Sequence, residues 1–224
     1  MDQTTQEEHT RVAIFRMLAT TWAAPTEAEV AVASGTDIND VRAAFDALAA
    51  DRHIVLAEDR TIVMAHPFST INLGFSVMGH DTLWWGGCVW DSLAIPHLVT
   101  SDDQVLVATT CQGCGTAHSW MVDNLEPPTG DQIAHFLTPM SAVWDDVVHA
   151  CGNQRVFCDE ACLDRWLSRE NLQRGYVADL PTVWRLASRW YEGRLDSPYV
   201  RREPVEAREY FRSVGLHGPF WGLE

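Results

Sequence analysis

The chain contains no lysine: its 16 basic residues are all arginine, they face 31 acidic ones, and the net charge is −15 at pH 7. That balance excludes whole classes of partner. Nucleic-acid binding rests on basic groups that neutralise phosphates, and attraction to an anionic membrane surface rests on basic clusters. A membrane span is missing too, because the longest uncharged run, 61–80, is interrupted by Pro67, Ser69, Asn72 and Gly74. The opening residues MDQTTQEEHTRVAIF lack a basic segment followed by an apolar one, so no signal peptide is expected and the cytoplasm is the expected location. No phosphate-cradling glycine loop, no nucleophile elbow, no internal repeat and no low-complexity segment occurs.

What is present belongs to a folded protein. The chain has 224 residues and ten tryptophans, enough for one large domain or for a small and a medium one. Residues 5–20 read as a helix. Thr26 and Glu29 form a capping-box pattern that opens a second helix, which stops at Gly35. TDIND opens a third, with Ile38, Val41, Phe45 and Leu48 at helical spacing. HIVLA, EDR and TIVMA then alternate as a β-hairpin does. Three helices and a hairpin predict a winged helix-turn-helix over 1–66. Positions 1–60 hold 11 acidic and 5 basic residues, and the third helix sets Arg42 against Asp40 and Asp46. A DNA reader needs donors for phosphates and base edges, so this region reads as a packing scaffold, and a transcription regulator is the least favoured function.

The remainder, 67–224, reads as mixed α+β. Strands are expected near 73–78, 83–88, 104–110 and 117–123. A short helix is expected from about Asp91 to before Pro96, a loop at 127–131, and helices at 159–169, 181–193 and 203–213. The overall fold class is therefore α+β.

Six cysteines in a chain without an export signal suggest metal or thiol chemistry rather than disulfides. In WWGGCVWDSLAIPHL (84–98), Cys88 stands three residues before Asp91. If the chain is helical there, both lie on one face. A carboxylate beside a thiol can take or pass on its proton, and apolar walls raise the pKa of both. A buried free cysteine beside a helix-capping aspartate is the plainer alternative. CQGCG (111–115) has the form of a zinc knuckle, and VFCDEACLDRW (156–166) places Cys158 and Cys162 at a helix start. Together Cys111, Cys114, Cys158 and Cys162 would make a four-cysteine zinc site, a rival to any catalytic reading of Cys158. Cys151 has no partner by spacing and reads as structural. His66, His97, His118 and His149 form no ligand pair.

AHPFS after the hairpin, the Cys-x-x-Asp of CVWDSLAIP, a mid-chain cysteine strand, the distal VFC, and the ending RWYEGRLDSPYVRR…GLHGPFWGL resemble the organomercurial (alkylmercury) lyase family over most of the chain. The resemblance implies protonolysis of a carbon–mercury bond. By position Cys88 and Cys158 would be the mercury ligands, Asp91 the proton shuttle, and Cys111 or Cys114 a structural cysteine. No cofactor would be required, and a thiol reductant would release the product. The substrate would be a small apolar organometallic cation. Where some members carry a second cysteine after the distal one, this chain has Asp159. The alternative is a zinc-stabilised relative acting on a different small molecule. The position of Cys158 separates the two: beside Cys88 and Asp91 the lyase reading stands, and beside Cys111 and Cys114 it falls.

Overall fold

A computed structural model describes the chain over residues 3–99 and 104–224. The N-terminal helices follow the expected pattern: α1 (Gln3–Thr21), α2 (Glu27–Ser34) and α3 (Ile38–Ala50). Thr26 and Glu29 form the reciprocal capping box of α2, and Gly35 ends it in the left-handed conformation at φ 66°, which glycine adopts without steric cost. Val41, Phe45 and Leu48 are buried on one face of α3.

The hairpin β1 (Val55–Leu56) and β2 (Ile62–Ala65) is not free-standing. Its second strand pairs with β3 (Phe68–Ser69), so the hairpin forms one edge of a larger sheet. With β4 (Phe75–Met78), β5 (Leu83–Gly86), β6 (Val105–Thr110) and β7 (Ala117–Val122), it builds a seven-stranded antiparallel sheet in the order β1-β2-β3-β5-β4-β6-β7. A second sheet of three antiparallel strands comprises β8 (Ile133–Phe136), β9 (Gln154–Phe157) and β10 (Tyr176–Asp179), ordered β10-β8-β9. The protein is mixed α+β.

Helix α4 (Val89–Leu98) lies between these layers and packs on β3, β4, β5, β9 and on α7 (Leu180–Ser188). Every residue from Val89 to Pro96 is buried, as expected of a helix that is apolar all round. The helix starts earlier and ends later than the sequence predicts, because Pro96 lies inside it. In the final turn the ring removes one backbone hydrogen bond, the one Ser92 would accept. The helix continues regardless, and Val99 N–H still donates to the Ile95 carbonyl at 2.9 Å.

Several elements are absent from the sequence expectations, among them β3, β8, β9, β10 and the six-residue helix α5 (Val147–Gly152). All are too short to establish a period. The expected helix at 181–193 ends at Ser188 and gives way to turns through residue 197. Helices α6 (Glu160–Glu170) and α8 (Pro204–Ser213) are where the sequence places them. Among the described residues no helix is long and apolar enough to cross a membrane.

The main core runs without a break from α1 through α4 to the C-terminal Trp221 and Leu223. Ile14, Phe15 and Leu18 of α1 are wholly inside it. Polar bonds reinforce the docking. Trp84 Nε1–H donates to the Leu18 carbonyl at 3.1 Å. The buried Arg11 donates to the carbonyls of Arg194 (2.6 Å) and Asp196 (2.5 Å). α1 therefore braces both β5 and the turn after α7, the two segments that flank the site described next. Phe15→Ala is expected to cost about 3–5 kcal/mol, the range for deleting a buried phenylalanine ring, as read from urea denaturation. A cost below about 0.5 kcal/mol, the size of a surface substitution, would show that α1 is not part of the core.

Candidate active site

The local structure follows from WWGGC. β5 ends at Gly86 and α4 begins at Val89, so the strand turns into the helix within two residues. A Cβ at Gly86 would overlap Ser92 Oγ and stand 3.0 Å from Ser92 Cα; one at Gly87 would overlap Asp91 Oδ2 and stand 2.9 Å from Met64 Cε. Only glycine lets the strand end this close to the helix. Cys88 is the helix N-cap, and its Sγ accepts from Asp91 N–H at 3.5 Å. The thiol in turn donates to Asp91 Oδ2 at 3.3 Å. The expected pair is thus formed, in a capping geometry.

Three further groups converge on it. Tyr191, in the turns after α7, donates its hydroxyl to Asp91 Oδ1 at 2.5 Å. Cys151, on the buried face of α5, directs its thiol to Asp91 Oδ2 at 4.0 Å. His66 Nε2 lies 3.4 Å from Cys151 Sγ. His66, Asp91 and Cys151 hold their ligand atoms within 4.8 Å of one another. One carboxylate thus serves two thiols, and all of these groups are buried.

Burial sets their protonation. Asp91 is pushed from 3.8 up to about 7 by desolvation, against the lowering effect of its bonds from Tyr191 and Cys88. Cys88 is raised well above its ordinary value by burial first, then by Cys151 and the Asp91 charge. Contact with Cys88 pulls Cys151 down, but burial and Asp91 outweigh it and the net shift is upward. Burial, then Arg194 and Arg201, lowers His66 to about 3, so its imidazole is neutral. The resting site holds two thiols beside a carboxyl group poised near neutrality, the condition for taking and returning a proton.

These groups border a cavity of about 80 Å³. Trp90, Met140, Val143, Trp144, Val147 and Trp190 supply its apolar wall, and four arginines also line it.

Cys158 is elsewhere. Its Sγ lies 3.4 Å from Cys114 Sγ, and Cys111, Cys114, Cys158 and Cys162 bring their sulfurs within 4.8 Å of one another. The trio expected to act together is therefore divided: Cys88 and Asp91 meet, but Cys158 joins the other three cysteines. Because Cys151 brings a second sulfur to Asp91 in its place, the position of Cys158 does not decide between the two readings. The physical reason is local. Cys158 follows β9, whose end is next to the β6–β7 turn, whereas Cys151 precedes β9 and reaches Asp91 from its other end. Cys162 also belongs to this group. Asp159 caps α6, accepting from Cys162 N–H at 2.7 Å. Cys151, expected to be structural, and His66, expected to have no ligand partner, both enter the site, and so does Tyr191, for which the sequence carries no signal. A signal for Cys151 existed: once four cysteines share ligand spacing, Cys88 and Cys151 are the two left over.

The family model for alkylmercury lyase, MerB, matches residues 68–192, more than half of the chain. The chain belongs to the alkylmercury lyase family. The matched segment contains Cys88, Asp91, Cys151 and Tyr191 as well as all four clustered cysteines. Among solved structures, the crystal structure of the mercury-bound form of MerB2 aligns with a TM-score of 0.59 at 16% identity, covering 84% of this chain and 99% of that one. The two share a fold. No curated protein matches by sequence.

The raised Asp91 pKa has a consequence for stability. The folded state holds the Asp91 proton that the unfolded chain releases near 3.8, so stability falls as pH rises from about 4 to about 7. Asp91→Asn removes that dependence. Its stability relative to the parent is expected to rise across this window by up to about 4 kcal/mol, measured as urea midpoints against pH. Parallel profiles for the two proteins would contradict the assignment.

Proposed function

We propose that this family member cleaves the carbon–mercury bond of organomercurial cations by protonolysis, with Cys88 and Cys151 as the sulfur pair and Asp91 as the proton carrier. The observation that carries this reading is the single buried carboxylate within reach of two thiols. Mercury is a soft metal that prefers thiolate. As R–Hg⁺ binds the first sulfur, that thiol's proton passes to Asp91. The second sulfur then joins and donates charge to mercury, weakening the bond to carbon, and its proton leaves to solvent. The proton on Asp91 goes to carbon as the carbon–mercury bond breaks. R–H departs, and Hg²⁺ stays on two thiolates. Two protons leave the thiols, one into the hydrocarbon and one to solvent. Mercury remains divalent throughout, so no redox cofactor is called for. Added thiol is needed to strip the product from a two-thiolate site.

The surroundings support this chemistry. Carbon is a poor proton acceptor and needs a positioned donor, which the Tyr191 bond to Oδ1 supplies by fixing the carboxyl. The tryptophan wall excludes water and suits an apolar organic group. His66, neutral and next to Cys151, orients that sulfur. Residues 1–66, a winged-helix-like region in this account, serve as scaffold: their charge is unsuited to nucleic acid, and α1 supports the segments that hold Trp84 and Tyr191.

The purified, reduced protein is expected to release hydrocarbon from simple alkyl and aryl mercurials in excess thiol. Asp91→Ala should still capture the organomercurial, with turnover reduced about 100-fold or more, the lower end of what a general acid contributes. Cys151→Ser should lose both. Undiminished turnover in Cys151→Ser would return the second sulfur to Cys158, and no hydrocarbon from any substrate would overturn the lyase reading.

A further inference from the structure

We propose that Cys111, Cys114, Cys158 and Cys162 bind a single structural zinc ion that ties β9 and α6 to the β6–β7 turn. Zinc takes four thiolates tetrahedrally with Zn–S about 2.3 Å, which sets the sulfurs about 3.8 Å apart. The four sulfurs here lie within 4.8 Å of one another, leaving room for one ion. Both halves are preformed. In the first, Gly115 N–H donates to the Cys111 carbonyl at 2.8 Å and Cys111 N–H to the Thr116 carbonyl at 2.9 Å, with Gly115 at φ 79° closing the knuckle. In the second, Cys158 and Cys162 flank the first turn of α6. The halves are in close contact: a Cβ at Gly113 would stand 2.8 Å from Cys162 Cα. Four thiolates around Zn²⁺ leave two negative charges, and donors are ready for them. Arg165 Nη2 is 2.8 Å from Cys162 Sγ, His118 Nε2 is 3.5 Å from Cys158 Sγ, and Thr116 Oγ1 is 3.1 Å from Cys114 Sγ.

The ion has a structural consequence for the other site. Only β9 and its flanking residues separate Cys151 from Cys158. Anchoring Cys158 fixes the strand, and with it the distance from Cys151 to Asp91. The small apolar cluster around Phe157, Leu163 and Trp166 packs behind the cysteines, so metal and core close the same end of the molecule.

Elemental analysis of the full-length protein is expected to find one zinc per chain. Cobalt(II) exchange should give the intense visible absorption of a tetrahedral tetrathiolate. Cys114 is exposed, so Cys114→Ser should fold, bind zinc at least tenfold more weakly and melt at lower temperature. A chain that neither retains nor takes up zinc, or a Cys114→Ser variant with undiminished zinc affinity, would overturn the proposal.

A separate observation concerns charge, and it builds on the lyase reading. In this acidic chain, Arg52, Arg194, Arg201 and Arg202 all line the cavity, and among the described residues no carboxylate forms an ion pair with any of them. Arg194 is 3% exposed. Its Nε and that of Arg202 are buried without a hydrogen-bond partner. Arg52 and Arg201 lie over Trp144 at 5.7 and 5.2 Å, and Arg202 over Trp190 at 5.7 Å. Asp91, poised near neutrality and within the field of Arg194, is the one carboxyl group among the residues lining the cavity. Four guanidinium groups therefore face at most one negative charge; they repel one another, and a planar carboxylate is an anion their fork geometry fits. We infer that the substrate presents a carboxylate to these arginines, carried either on its organic group or on the small thiol that delivers the mercurial.

Four complexes separate the sources: phenylmercury and carboxyphenylmercury, each on a neutral thiol and on a carboxylate-bearing thiol. At least one carboxylate position should raise kcat/KM about tenfold or more, and Arg201→Gln should erase the difference. Equal kcat/KM across all four, or a preference that survives Arg201→Gln, would overturn the inference. If none is cleaved, the lyase reading fails, and benzoate titration followed by tryptophan fluorescence decides the arginine site. Saturable binding weakened in Arg201→Gln upholds it, and absent or unchanged binding overturns it.

Discussion

Burying the Asp91 carboxyl is the constraint on which the rest of the site depends. A carboxylate removed from water without partners is costly, and here the groups that approach it directly are two thiols and a phenol, with Arg194 acting only through its charge. The compromise is a carboxyl group shifted to about 7, neither a fixed charge nor a permanent acid. The glycine pair before Cys88 gives Asp91 its space, and Tyr191 fixes one oxygen. The other oxygen is left for Cys88 and Cys151.

The architecture places those donors by bringing distant segments together. α4 carries Cys88 and Asp91 through the middle of the molecule, buried along most of its length. The three-stranded sheet brings α5 and Cys151 to one side, and the turns after α7 bring Tyr191 to another. α1, through Arg11 and Phe15, supports those turns. Disturbing the N-terminal helix would therefore reach the active site through the backbone around Arg194, a route set by packing and not by any contact with substrate.

Much of this was legible in the residues. The capping box at Thr26, the face of α3 and the strands from Phe75 to Val122 follow from local spacing, and so does the Cys88–Asp91 pair. Cys158 was misplaced because chain order says which cysteine is distal but not which way a strand carries it. β9 is four residues long with no clear period, and which of its flanking cysteines reaches Asp91 depends on its pairing with β8. α5, only six residues long, hid Cys151 for the same reason. Tyr191 lies beyond the end of a helix that the sequence extends past it, so its bond to Asp91 is purely tertiary.

The central claim is that the two thiols sharing Asp91 hold mercury, while the four clustered cysteines do not. Anomalous diffraction from crystals of zinc-loaded protein given one equivalent of Hg²⁺ tests it most directly. The account predicts a mercury peak between the sulfurs of Cys88 and Cys151, next to the Asp91 carboxyl. Mercury found only among Cys111, Cys114, Cys158 and Cys162, with none in the cavity, would contradict it.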